Sequence, residues 1–196
     1  MNPHVNRPNR PNRRLRSLST MVASLALALT GTTATAAPST PPPATQAGPG
    51  PLFNLRNAAD PNGNKCVGLA NNGSTANGTI LVLWDCHLNF DQWWYKGDDG
   101  VSLRSNASGY PYGKCIGLAD NGSTANGTRL VLWDCHLHPD QWWRMQPLGD
   151  GNAALVSGAG QNKCVGLANN GSTANGTPLV LWDCHYNPDQ RWFTRS

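Results

Sequence analysis

Three times in this chain of 196 residues a tryptophan and an aspartate precede a cysteine, a histidine follows it, and a second aspartate stands four residues beyond the histidine. The sets are Trp84, Asp85, His87 and Asp91; Trp133, Asp134, His136 and Asp140; and Trp182, Asp183, His185 and Asp189. An indole is a flat apolar plate with few rotors. Carboxylates and imidazoles accept or donate hydrogen bonds in fixed directions. A pyranose presents the complementary chemistry, C–H groups on a ring face and hydroxyls around its rim, so the combination suits contact with a sugar. The same residues also admit an acid–base pair, Asp85 with His87, or a pair of glycosidase carboxylates, Asp85 with Asp91. Neither pair is joined by a nucleophile or an implied deep cleft, and no enzyme is expected. Plain structural roles stand beside these: Asp85 capping a turn, His87 bonded to backbone at a strand end, and copies kept alike by a recent duplication.

The elements that must position these residues repeat as well. Cys66, Cys115 and Cys164 are spaced by 49 residues, as are Gln92, Gln141 and Gln190. Such a period demands a repeat architecture. Gly, Asn, Thr and Pro crowd each copy, which disfavours helix. "ILVLWDC" from Ile80 and its counterparts are apolar and β-prone, and so are "FNLRN" from Phe53, "VSLRS" from Val101 and "AALVS" from Ala153. "NNGSTANGT" carries two Asn-Gly turns. Its Asn-Gly-Ser and Asn-Gly-Thr triplets also match the glycosylation pattern, but the turn role accounts for them. In "LVLWD", Leu81 and Leu83 point one way and Val82 and Trp84 the other. With the leucines in the core, Trp84, Trp133 and Trp182 face outward and want a partner. The third copy is as regular as the first, which favours closure on a threefold axis over an open stack with capping repeats.

The ends of the chain bound its setting. Residues 1–37 read as a cleavable secretory signal: five arginines without an acid, the apolar run "MVASLALAL", and small residues to Ala36 and Ala37. A twin-arginine signal at Arg13-Arg14 is the other reading, though its neighbours fit poorly. Without the leader, ten basic and eleven acidic residues remain, a net charge of −1, and the basic face that a nucleic-acid binder keeps is lost. The apolar run is far shorter than the roughly 20 residues that span a bilayer. Residues 38–51, rich in Pro, Thr and Gly, read as a linker. Residues 52–196 make one domain with lobes at about 52–97, 98–147 and 148–196. All six cysteines lie there, and the repeat selects Cys66–Cys86, Cys115–Cys135 and Cys164–Cys184. Cysteines so far apart in an exported chain do not suggest zinc, and no metal or cofactor is expected.

Each copy ends in Q-x-W: Gln92-Trp93-Trp94, Gln141-Trp142-Trp143 and Gln190-Arg191-Trp192. With the K-C-aliphatic start, the N-G-T turn and the W-x-C strand, the chain from Leu52 to Ser196 resembles the ricin-type β-trefoil lectins. The resemblance implies an all-β fold of twelve strands in three four-stranded lobes, with Trp94, Trp143 and Trp192 in the threefold core and Gln92, Gln141 and Gln190 making structural hydrogen bonds. It also implies stacking roles for Trp84, Trp133 and Trp182, and hydroxyl contacts from Asp91, Asp140 and Asp189, where the family usually has Asn. One position departs from the pattern. The family's binding lobes carry Asp two residues after the first Cys, whereas Gly68, Gly117 and Gly166 stand here. Asn71, Asp120 and Asn169, in a loop about one residue longer, are candidate replacements. Trp93 and Trp142, which become Arg191 in the third copy, are expected to be semi-exposed packing.

The expected function is a secreted, monomeric carbohydrate-binding protein with up to three equivalent shallow sites. The expected ligand is neutral, since a carboxylate-rich rim repels anionic glycans. The alternative is a protein-binding trefoil, such as a protease inhibitor or a toxin-like effector.

Overall fold

The computed structural model describes residues 50–196. The expected leader, and residues 38–49 of the expected linker, lie outside them. Twelve strands are present among the described residues, four in each lobe. The first lobe holds β1 (Asn54–Asn57), β2 (Lys65–Leu69), β3 (Leu81–Asp85) and β4 (Trp94–Lys96). The second holds β5 (Leu103–Ser105), β6 (Cys115–Leu118), β7 (Leu130–Trp133) and β8 (Trp143–Pro147). The third holds β9 (Ala153–Ser157), β10 (Lys163–Leu167), β11 (Thr177–Asp183) and β12 (Trp192–Arg195).

Six strands close a barrel. β4 pairs with β5, β8 with β9, and β12 with β1, so the same antiparallel junction joins each lobe to the next and the last to the first. Between these junctions, Phe53 bridges Trp94, Val101 accepts from the Trp143 amide at 2.8 Å, and Trp192 pairs with Ala153. The remaining strands form the hairpins β2–β3, β6–β7 and β10–β11. The hairpins touch one another across the threefold axis, through Thr177 with Leu83, Ile80 with Val131, and Arg129 with Val180. The fold is the β-trefoil that the resemblance implies, closed as the regularity of the repeat predicts.

Alternation along the hairpin strands supplies the core. Leu81, Leu83, Leu130, Leu132, Leu179 and Leu181 are fully buried, with Val67, Ile116 and Val165 opposite them. Trp94, Trp143 and Trp192 fill the space beneath the hairpins, and each indole N–H donates to a backbone carbonyl, of Val67 at 3.0 Å, Ile116 at 2.9 Å and Val165 at 2.9 Å. Each such ring removes about 200 Å² from water, an upper estimate of roughly 5 kcal/mol. A single four-stranded lobe would leave that apolar face open, so the lobes stand only together. The three disulfides fall within the lobes, with Cα atoms 5.0, 5.1 and 5.0 Å apart. Each closes a loop of 20 residues, worth about 3 kcal/mol in the chain-entropy model.

Candidate functional site

After the second cysteine of each lobe the chain makes a tight turn that sets the histidine. Leu88, Leu137 and Tyr186 adopt φ of 59°, 57° and 59°, a left-handed conformation that side chains of this size avoid. The buried glutamine of Q-x-W holds that turn. Gln92 Oε1 accepts from the amides of His87 at 2.9 Å and Leu88 at 3.1 Å, and its Nε2 donates to the Asp85 carbonyl at 2.9 Å. Gln141 and Gln190 do the same. Each glutamine belongs to a 3₁₀ turn, Phe90–Gln92, Pro139–Gln141 or Pro188–Gln190, which also delivers the neighbouring aspartate.

A solvent-open hollow lies over each hairpin. Its volume is about 520 Å³ in the first lobe, 870 Å³ in the second and 400 Å³ in the third. Trp84, Trp133 and Trp182 form one side, at 43, 44 and 45% exposure. A histidine and an aspartate form another. His87 Nε2 is 3.8 Å from Asp91 Oδ2, His136 3.7 Å from Asp140, and His185 3.9 Å from Asp189. Each ring is oriented from behind, because Nδ1 accepts the amide of Asn89 at 3.2 Å, His138 at 3.3 Å or Asn187 at 3.2 Å. The expected Trp, His and second Asp of each set therefore come together.

The glycine that departs from the family pattern has a local cause. A Cβ on Gly68 would lie 3.1 Å from Asp91 Oδ2, and one on Gly73 would lie 3.1 Å from Asp91 Cβ. Asp91 packs into the space these two glycines vacate, so the carboxylate reaches the hollow from the facing wall. Gly166 and Gly171 stand in the same relation to Asp189, while a Cβ on Gly117 would be looser, 3.6 Å from Asp140 Oδ2. The third wall is a left-handed turn. Asn71 and Asn72, Asp120 and Asn121, and Asn169 and Asn170 all have φ of 53–56° and line the hollows. Asn and Asp tolerate that conformation best among non-glycine residues. Asn71, Asp120 and Asn169, the expected replacement acceptors, are thus at the hollow.

Asp85, Asp134 and Asp183 are not. They are not among the residues that line the hollows, which departs from their expected part in the set. Each lies in a clasp between lobes. Lys65 Nζ donates to Asp85 Oδ1 and to Asn175 Oδ1, both at 2.7 Å, and Asn175 Nδ2 donates to Asp85 Oδ2 at 2.6 Å. Lys114, Asn77 and Asp134 repeat the pattern, as do Lys163, Asn126 and Asp183. The hydrogen bonds from Lys65 and Asn175 hold the Asp85 carboxyl below its usual range; Asn77 and then Lys114 do so for Asp134, and Lys163 and then Asn126 for Asp183. Nothing in the local pattern of the repeat signals this role for Asn77, Asn126 and Asn175. The glycine after each of them supports the neighbouring tryptophan: a Cβ at Gly176, Gly78 or Gly127 would lie 3.6, 3.7 or 3.8 Å from Cζ3 of Trp84, Trp133 or Trp182.

Trp93 and Trp142 pack as expected. Their indole N–H groups donate to the carbonyls of Leu88 at 2.9 Å and Leu137 at 2.8 Å, and Arg191 Nε donates to the equivalent Tyr186 carbonyl at 2.7 Å. The tryptophan-to-arginine change keeps the bond that braces the strained turn.

A family model described as the ricin-type beta-trefoil lectin domain matches residues 52–195. The chain belongs to that family. Among solved structures, the ricin-type trefoil here is similar to a designed threefold-symmetric protein, ThreeFoil, with a TM-score of 0.65 and 24% identity over 74% of this chain and 98% of that one. It is also similar to a ricin B-like lectin from Macrolepiota procera in complex with lactose, with a TM-score of 0.56 and 21% identity over 76% of this chain and 98% of that one. An exo-beta-1,3-galactanase from Clostridium thermocellum matches at a TM-score of 0.64 and 23% identity, over 73% of this chain but 29% of the galactanase. These likenesses show the fold. A search of characterised proteins by sequence returned no match. The three disulfides of this ricin-type domain indicate an oxidising compartment. No helix among the described residues is long and apolar enough to cross a membrane.

Proposed function

We propose that this protein is an exported, non-catalytic lectin that binds neutral saccharides in up to three equivalent shallow sites and gains affinity for polysaccharide or glycan-coated surfaces by engaging several at once. The observation that carries this is the threefold recurrence of one constellation: an outward indole facing a histidine–aspartate pair across an open hollow. Trp84 offers the stacking plate. Asp91 accepts from hydroxyls, His87 is held at 3.8 Å to share the same hydroxyl, and Asn71 adds an amide from the third wall. The corresponding residues are Trp133, His136, Asp140 and Asp120, then Trp182, His185, Asp189 and Asn169. Asp85, Asp134 and Asp183 serve the clasps in this reading and contact no sugar. Residues 1–37 direct export, residues 38–51 link, and the domain acts as a monomer.

The test is a glycan screen of the exported chain beside a Trp84→Ala, Trp133→Ala, Trp182→Ala triple variant. Binding of neutral glycans by the parent and its loss in a variant that still melts cooperatively is the expected result. Binding that survives in the variant, or a parent that retains no glycan, would refute the site.

A further inference from the structure

The three hollows differ in volume, at Asp120 and Arg129, and most usefully at His138. His138 stands where the first and third lobes carry Asn89 and Asn187. It gives the second hollow a cluster of three metal-ligating side chains, His136, His138 and Asp140, with one donor atom of each within 4.8 Å of the others. We propose that this trio is a site for a divalent transition-metal ion of the zinc class, present in the second lobe alone. The wide cysteine spacing that argues against a cysteine-bound zinc does not bear on these histidines.

The geometry is close to what such an ion needs. Zinc bonds to nitrogen and oxygen are about 2.0–2.2 Å, so two donors of one tetrahedral ion lie roughly 3.3–3.5 Å apart. His136 Nε2 and Asp140 Oδ2 are 3.7 Å apart, and the two imidazole rings are 4.7 Å apart, centre to centre. Closing the set takes small rotations of two exposed rings on a fixed frame. That frame is the 3₁₀ turn Pro139–Gln141, with Gln141 Oε1 accepting the amides of His136 at 2.9 Å and Leu137 at 3.1 Å. One contact is given up: with metal on Nε2, the His136 ring proton moves to Nδ1 and displaces the 3.3 Å bond from the His138 amide.

Two imidazoles and a carboxylate suit zinc, nickel or copper, whereas calcium and magnesium prefer all-oxygen shells. The charged groups lining the hollow are Asp120, Asp140 and Arg129, two carboxylates against one guanidinium, a balance that favours a cation. Three protein donors leave a coordination position for water or a ligand oxygen.

The experiment is calorimetric titration of ZnCl₂, with CaCl₂ in parallel, into chelator-stripped protein that bears no histidine tag. One zinc per chain and no calcium uptake is the expected result. His138→Asn, which writes the first lobe's residue into the second, should weaken zinc by at least about tenfold, a loss typical of removing even a supporting partner. Asn89→His should raise the stoichiometry to two, and its melting temperature shows that it is folded. No uptake by the parent, a stoichiometry of three, calcium uptake equal to that of zinc, or an unchanged His138→Asn variant would overturn the proposal.

Discussion

Asn175 in the third lobe donates its side-chain amide to Asp85 in the first at 2.6 Å. With the matching bonds from Asn77 to Asp134 and from Asn126 to Asp183, this contact completes a ring in which every lobe grips the next. It lies on the same hairpin that carries Trp84, so the grip that closes the fold also seats the plate of the neighbouring hollow.

Removing the grip should therefore loosen both. Asn175→Ala is expected to lower the melting temperature and to weaken ligand binding in the first lobe while leaving the other two hollows intact. Thermal unfolding, with saturation stoichiometry measured well below the melting transition, checks this. An Asn175→Ala protein that melts with the parent would show the clasp to be an idle surface contact.

The clasps also set a pH dependence. Asp85, Asp134 and Asp183 are held below their usual range by their lysine and asparagine partners. Asp99 carries the same sign: burial pushes its carboxyl up, but the Ser102 hydroxyl and the Ser102 and Val101 amides, with Arg104, outweigh burial and hold it well below. A folded value below the unfolded one gives stability that is whole above the ordinary Asp value of about 3.9 and lost as pH falls through the folded value. Melting temperature should thus decline below about pH 4. The decline should be shallower in an Asp85→Asn, Asp134→Asn, Asp183→Asn variant, and an equal decline in both proteins would remove these groups as its cause.

Gly68 makes a two-step test of the site. Gly68→Asp restores the family's acid but places new atoms about 3 Å from Asp91, where overpacking alone costs about 1–3 kcal/mol and two like charges meet. Adding Asp91→Asn, the residue the family usually has there, should recover much of the lost stability. Denaturant unfolding of the two variants decides it: a second change that restores nothing would mean that the glycine is not there for Asp91.

Multivalency predicts a split between small and large ligands. With only the first hollow left, by Trp133→Ala and Trp182→Ala, monosaccharide affinity at that hollow should stay near the parent value. Polysaccharide affinity should fall by about 10²–10⁴, the usual range of linked-site gains. Equal losses for both ligands would argue that the hollows do not act together on one glycan.

Much of the fold was legible because it is periodic. The 49-residue spacing implied three repeats, the regularity of the third copy implied closure, the repeated cysteines implied the three bridges, and the alternation of Leu81, Val82, Leu83 and Trp84 placed the leucines inside and the indole outside. The same alternation, carried one residue further, turns Asp85 away from Trp84, so adjacency in sequence does not make the two one site. The clasp was not legible, since Asn175 meets Asp85 across 90 residues and nothing local marks a partner at that distance. His138 breaks the repeat, so what the copies share does not point to it. The strained conformation at Leu88 also leaves no trace in composition, because it is imposed by Gln92 and not by the leucine.

Every clasp joins a turn of one lobe to the hairpin of the next, and every indole plate lies beside a glycine of the adjoining lobe. In topological terms the chain is a homotrimer written in tandem: three separate copies of one lobe, arranged about the same axis, would make the same contacts. Fusing such copies adds no new interaction. It replaces a concentration-dependent assembly with a tethered one, and it allows the copies to differ, as the second does from the others at His138.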